Sequence, residues 1–338
     1  MFSKVDILKD IILKEIHSGK LRSGDVIPSR NRLKQKYGFS LTTVNKAIRD
    51  LTDAGYLSAV KGSKTKVLSA KPITEPHCIY AISGFNDSNL EMVRESLFSY
   101  SSISCPFIGL REEDAMLKFD NICQPGTIVI WLCPNFKAIL LMEHLERCNI
   151  PQIIINRDFD GFNFVSTDAK KSIRDGLSWL VDEAGLEISF AAPLPSIETS
   201  YIYQRINSFY EIALDLDVKL TPSMIFMHDQ EELSAVANDI GRKLFLSPDR
   251  PRGIFVLHAK LAVLLVTFAR AHNFLPGRDY HMLVFDYVDE LRKTPGICMM
   301  RQQLDLMYKE VHMWLKNSLN AKSQTMRKYI KAELVVST

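Results

Sequence analysis

Three residues, Ser29, Gly38 and Ser40, limit what the first part of this chain can become. Ser29 caps a helical stretch that runs to about Tyr37, Gly38 ends it in a tight turn, and Ser40 caps another helix. That helix carries Val44, Ala47, Ile48 and Leu51 on one face and is closed by Gly55. Upstream, Val5, Ile7, Leu8, Ile11, Ile12 and Ile16 recur at helical spacing, with Ser3 as a candidate cap and Gly19 as a stop. Downstream, Tyr56 to Val60 and Lys66 to Leu68 can pair as a hairpin across the intervening Lys61 to Thr65.

Three helices followed by a hairpin with a basic tip predict a winged helix-turn-helix. The start of the third helix, Leu41-Thr-Thr-Val-Asn45, is a poor choice for helix stability, since short polar and β-branched residues are weaker formers than Glu, Lys or Ala. Such residues suit a helix whose first turns enter the major groove, where hydroxyls, amides and methyls meet phosphates and base edges. The exposed positions at that end are Leu41, Thr42, Asn45 and Arg49, flanked by Thr43 and Lys46, with Ser40 at the cap. Asn45 matches adenine bidentately and Leu41 matches a thymine methyl; the bland alternative is that Thr42, Thr43 and Asn45 are simply solvated first-turn residues. Arg30 and Asn31 on the second helix, and Gly62, Ser63, Lys64 and Thr65 at the hairpin, complete the candidate DNA-contacting set.

Charge agrees with this division. Residues 1–70 hold 14 Lys and Arg against 6 Asp and Glu, whereas the remaining residues hold 28 against 33. The small basic part seeks a polyanion and the larger part does not. At 338 residues, two or three compact units are expected. The acids within Met1 to Ile16 and the lack of a long apolar run predict a cytoplasmic protein without signal peptide or membrane span. Six scattered cysteines and eight dispersed histidines show no metal-ligand spacing, so neither a metal nor a cofactor is expected.

The phrases Gly19-Lys-Leu21, Ile27-Pro28-Ser29, Gly38-Phe39-Ser40, Thr43-Val44, Ala47, Leu51, Gly55-Tyr56-Leu57 and Gly62-Ser-Lys-Thr65-Lys-Val67 stand in one order over about 65 residues. In this the sequence resembles the GntR family of bacterial transcription regulators. The resemblance implies a DNA-binding head and a dimer on a pseudo-palindromic, double-stranded operator. Leu41 and Asn45 stand where that family usually has arginines, Asn31 where an arginine is frequent, and Lys64 in place of a wing glycine. The operator is therefore expected to be this chain's own.

Beyond a Pro-containing connection over 70–77, apolar runs alternate with helical patterns from Cys78 onward. Runs at Cys78–Ile82, Thr127–Leu132, Gln152–Asn156, Phe164–Ser166, Glu187–Ala191, Met224–Met227, Gly253–Leu257 and His281–Phe285 predict strands. Between them, helices are expected at about Leu90–Tyr100, Lys137–Cys148, Ala169–Glu183, Tyr203–Leu214, Glu231–Leu246 and Leu261–His272. That alternation makes parallel sheets flanked by helices, and 78–338 has room for two such lobes.

Within this part, Ile150-Pro-Gln-Ile-Ile-Ile-Asn-Arg157, Val165-Ser-Thr-Asp168, Arg205-Ile-Asn-Ser-Phe209, Leu283-Val-Phe-Asp286 and Ile297-Cys-Met-Met-Arg-Gln302 resemble, in order, phrases of the LacI family effector domain and of ribose-type periplasmic binding proteins. The whole chain then looks like the arabinose-repressor-like arrangement: a winged helix-turn-helix (1–69) joined to an α/β two-lobed periplasmic-binding-protein-like domain with parallel sheets (78–338). The resemblance implies a small-molecule effector, a monosaccharide by preference, held by Asn156, Arg157, Arg205 and Asp286. His258 stands in place of the family's Asn-Asp pair, and Phe85 or Trp131 is a candidate stacking platform. Arg205 and Asp286 also suit a structural ion pair, and Trp131 suits a core aromatic. An enzyme fused to a DNA-binding head is disfavoured by the lack of any catalytic constellation. A second domain that only dimerises, or that takes a non-sugar ligand, is the alternative.

Overall fold

Two serine caps and a left-handed glycine set the local geometry of the head. The computed structural model describes residues 4–337 except 18–19, 23, 54, 60–62, 69–77, 85–87, 100–104, 125, 197–198, 230–231, 249 and 320–324. Ser3, Gly19, Gly62, Phe85 and the connection over 70–77 therefore lie outside the described residues. Helix α1 (Lys4–His17) is followed by α2 (Arg30–Tyr37), α3 (Leu41–Asp53) and strands β1 (Leu57–Ser58) and β2 (Lys66–Val67). The Ser29 side chain accepts from the Arg32 N–H, and Gly38 takes φ 68°, the region that a residue with a Cβ enters only with strain.

Helices of 8 to 14 residues are marginal alone, so the head depends on its core. Leu8, Ile12 and Ile16 of α1, Leu33 of α2 and Val44, Ala47, Ile48 and Leu51 of α3 are buried in one cluster with Ile27, Leu57 and Val67. Each Leu, Ile or Val of this cluster contributes roughly 1.5–3 kcal/mol when fully buried. The β1–β2 pairing is antiparallel, as a hairpin requires. Val26 adds a third, antiparallel bridge to Lys66, and Ile27 N–H donates to the Thr65 carbonyl at 3.0 Å.

The rest of the chain follows the expected alternation. It continues with β3 (Cys78–Ser83), α4 (Ser88–Ser99), β4 (Phe107–Arg111), α5 (Glu112–Leu117), α6 (Phe119–Ile122), β5 (Thr127–Leu132), α7 (Ile139–Arg147), β6 (Gln152–Ile155) and β7 (Asn163–Thr167). Next come α8 (Ala169–Ala184), β8 (Ile188–Pro193), α9 (Ser200–Asp215), β9 (Ile225–His228), α10 (Leu233–Phe245), β10 (Gly253–Val256), α11 (Ala259–Ala271), β11 (His281–Phe285) and β12 (Ile297–Arg301). Helix α12 (Leu304–Leu319), β13 (Arg327–Ile330) and β14 (Glu333–Val336) end it.

These strands form two six-stranded sheets, in the orders β13-β7-β6-β5-β3-β4 and β14-β12-β11-β10-β8-β9. The β3–β4, β3–β5, β5–β6 and β6–β7 pairs of the first sheet are parallel. In the second, β14 pairs antiparallel with β12 and the other neighbours are parallel. Strands β5 and β11 are buried along their whole length, as parallel strands covered on both faces must be. The chain divides into two compact units, one of residues 1–165 and 308–327, the other of 166–307 and 328–338. In the second unit, a Cβ on Gly241 of α10 would stand 2.6 Å from the Phe268 ring of α11, so only glycine permits this approach.

Two expectations are corrected. The stretch between α4 and β5 holds an edge strand, β4, and two short helices that periodicity did not suggest. Trp131 is fully buried in the first unit's core, and its indole N–H donates to Gln152 Oε1 at 3.0 Å. Its ring has no open face for a ligand, so it is a core aromatic and not a stacking platform.

Candidate nucleic-acid interface and ligand site

Helix α3 buries Val44, Ala47, Ile48 and Leu51, and this fixes the opposite face. Leu41, Thr42, Asn45, Lys46 and Arg49 are exposed, with Leu41, Asn45 and Arg49 spaced four apart along one stripe. At the helix start the Ser40 hydroxyl accepts from the Thr43 N–H at 3.1 Å and lies 2.8 Å from the Thr43 hydroxyl. Both hydroxyls are thus engaged in the cap, one of them half-buried. Arg30 and Asn31 are exposed at the first turn of α2, and Ser63 and Lys64 at the hairpin. Thr65 departs from its expected role: it is buried, and its carbonyl serves the Ile27 N–H. Alternation along the strand explains this, because Thr65 and Val67 turn inward while Lys66 turns out.

Glu15 of α1 holds α2 in place. Its carboxylate lies 3.0 Å from Lys20 Nζ and 3.4 Å from Lys36 Nζ, and accepts from the Tyr37 hydroxyl at 3.5 Å. Burial works against its ionisation, but the Lys20 bond and the Lys36 charge hold it below the usual carboxylate range.

In the second unit, side chains gather where parallel strands end. Asp286 follows β11 with φ 81°, a left-handed conformation that turns the chain sharply out of the sheet. Its Oδ2 lies 3.5 Å from Nη1 of Arg205, and its Oδ1 accepts from the Gln302 amide. Gln302 is fixed in turn by the Thr167 hydroxyl, which donates to its Oε1 at 2.7 Å. Arg205, on α9, is buried, with its guanidinium over the Phe285 ring at 3.8 Å and the Tyr201 ring at 4.8 Å. A planar guanidinium beside a half-exposed carboxylate offers directed donors and acceptors to vicinal hydroxyls.

His258 follows β10 by two residues and stands at the N-cap position of α11; its ring lies parallel to that of His228, at the end of β9, with centroids 5.8 Å apart. His228 Nδ1 lies 2.7 Å from the Asp229 carbonyl, and a carbonyl only accepts, so Nδ1 carries the proton. Burial lowers both imidazoles' pKa; for His258 the neighbouring His228 and Lys260 act the same way and Asp286 opposes them.

The first unit presents its own polar end. Asn156 follows β6 with φ 61°, and the buried Arg157 donates to the Asn156 carbonyl at 2.6 Å. Near Arg157 and Lys137, Glu112 Oε1 accepts from the Asn135 N–H at 2.7 Å. Burial pushes the Glu112 carboxyl up, against the pull of the Asn135 bond and of the two cations. The structure thus brings Arg205, Asp286 and His258 together in one unit and Asn156 with Arg157 in the other. Sequence reading did not single out Gln302, Thr167, His228 or Glu112. Gln302 and His228 each stand at the end of an apolar run, the position already used to select Asp286.

Residues 5–67 match the family model "Bacterial regulatory proteins, gntR family". The histidine utilization repressor of Klebsiella aerogenes is 44% identical over 64 residues, 19% of this chain and 27% of that protein. The mannosyl-D-glycerate transport/metabolism system repressor of Escherichia coli is 35% identical over 60 residues, 18% of this chain and 25% of that one. The chain thus spans about a quarter of the length of these relatives. Among solved structures, a LacI family regulatory protein from Chloroflexus aggregans superposes with TM-score 0.65 at 15% identity, covering 77% of this chain and 97% of that one. A transcriptional regulator in complex with cellobiose gives TM-score 0.63 at 14% identity, covering 92% and 99%. The chain therefore joins a gntR-type head to the LacI-type two-sheet fold, and these similar proteins are regulators rather than enzymes. No helix among the described residues is long and apolar enough to cross a membrane.

Proposed function

We propose that this protein is a sequence-specific, DNA-binding transcription regulator controlled by a small molecule. The observation that carries the reading is the exposed stripe Leu41, Asn45 and Arg49 on the helix of a gntR-type head, set opposite a fully buried face. The recognition helix lies in the major groove, Arg30 and Lys64 meet phosphates, and a homodimer grips two half-sites of a pseudo-palindrome. The protein acts in the cytoplasm as a repressor of carbohydrate-utilisation genes.

The effector is a monosaccharide, such as a pentose or deoxyhexose, that accepts directed hydrogen bonds from Arg205 and donates them to Asp286. It shifts the population of lobe arrangements only as far as it binds one better than another. A thermal-shift titration of the full-length protein with pentoses, hexoses and deoxyhexoses tests the sensor, and the bound sugar should release or strengthen DNA binding by the same protein. A panel in which no sugar raises the melting temperature rejects the sugar assignment.

One observation favours a second reading, a non-sugar ligand. The stacked His228 and His258 rings replace amide and carboxylate chemistry with two bases at the end of the sheet. A panel extended to sugar acids and amino-acid derivatives decides between the two.

A further inference from the structure

We infer that each operator half-site places a thymine and an adenine, within two base pairs of one another, under Leu41 and Asn45, and that guanine is rejected at both positions. The inference rests on the reading of the head as an operator binder and assigns the base class that this head selects.

Leu41 is a large aliphatic side chain left 41% exposed in the first turn of α3, with no place in the head's buried cluster. It neither donates nor accepts, and the one apolar feature that a base pair shows in the major groove is the thymine methyl. Over a G·C pair it would cover polar edges without satisfying them, which is costly. Asn45 is exposed, and its side-chain amide has no hydrogen-bond partner among the described residues. Its amide offers one donor and one acceptor in a plane, the complement of adenine N7 and N6. Guanine shows two acceptors, N7 and O6, so the Asn45 carbonyl would face a second oxygen.

The geometry ties these two contacts together. Leu41 and Asn45 are one helical turn apart on the same face, with Cβ atoms about 5–6 Å apart. With base pairs stacked about 3.4 Å apart, that separation spans no more than two steps. The Ser40 and Thr43 hydroxyls bond each other at 2.8 Å, so of the neighbouring hydroxyls only that of the exposed Thr42 is left for the DNA. Arg49, the next residue on the stripe, lies a further turn from the helix start and holds no ion pair among the described residues, leaving it for the backbone.

The experiment is selection of binding sites from a random double-stranded DNA library by the full-length protein. Enriched half-sites should carry the thymine and adenine together. Changing the adenine pair to G·C should weaken binding about tenfold for the wild type and under threefold for Asn45→Ala. Replacing the thymine by deoxyuridine, which removes only the methyl, should weaken wild-type binding several-fold and leave Leu41→Ala unchanged. Asn45→Arg should move the preference at its position toward guanine. Since both residues are exposed, matched melting temperatures will show that the variants fold. Enrichment of G·C at both positions, or an unchanged adenine preference in Asn45→Ala, overturns the inference. A protein that enriches nothing and binds no DNA overturns the operator reading itself.

Discussion

The Arg205 guanidinium lies flat enough on Phe285 to bring its central carbon within 3.8 Å of the ring centroid, while Nη1 stays 3.5 Å from Asp286. One side chain thus joins the aromatic core to the polar end of the sheet. Arg205→Lys keeps the charge but loses the planar fork and the stacking surface. The expected result is a loss of about 1 kcal/mol in urea unfolding of the full chain, discounted because Asp286 remains half-exposed, together with loss of the effector-induced thermal shift. A variant that keeps the full shift would remove Arg205 from the ligand site.

Ser40 allows two roles to be separated. Ser40→Ala removes the acceptor for the Thr43 N–H, and the expected loss is about 1 kcal/mol of stability. Ser40→Asp restores the cap but sets a negative charge at the end that faces phosphate. Its melting temperature should match the wild type while its DNA affinity falls at least tenfold. Equal affinities would place this helix end away from the DNA.

Binding to DNA should weaken steeply with salt, and Arg30 and Lys64 should carry part of that slope. Removing one cation from a phosphate reduces the slope of log K against log salt concentration by about 0.9. In a homodimer each substitution removes two such cations, so Arg30→Ala and Lys64→Ala should each lower the slope by about 1.8 while leaving sequence preference unchanged, as measured by fluorescence anisotropy across a salt series.

The imidazole pair predicts a stability that depends on acidity. Both His228 and His258 have folded pKa values below 6.5, through burial first. Below pH 6.5 the unfolded chain takes up protons that the folded chain refuses, so stability present above that pH is lost progressively as pH falls toward the folded values. His281 and His312 shift in the same direction, so the comparison must be with a His228→Gln/His258→Gln variant. Between pH 7.5 and 5, the melting temperature of the wild type should fall further than that of the variant. Parallel curves would show that the pair ionises freely in the fold.

Local chemistry made the head legible. Ser29, Gly38 and Ser40 act on the backbone within four residues, and the caps stand where their sequence places them. Strands β5 and β11 were equally plain, since a run buried on both faces is apolar without a break. Strand β4 was not, because it lies at a sheet edge and exposes Ile108 and Gly109. Thr65 was misplaced although the alternation that buries it stands in the sequence; its position in a basic hairpin suggested the opposite. The His228–His258 stack has no local signal at all. His228 ends β9 and His258 follows β10, strands on either side of β8, and only the sheet order brings together two residues thirty positions apart in the chain.

The chain passes from one compact unit to the other three times, after residues 165, 307 and 327. A protease cut at any single crossing leaves the units covalently linked through the other two, so nicked protein should migrate intact until it is denatured. The same connectivity bears on descent. A single genetic crossover at 69–77 exchanges one head for another, but none exchanges one unit for another, because each is written in the gene in two separated pieces. Heads of this kind are therefore free to be reshuffled among regulators, whereas residues 78–338 pass on as a single inheritance.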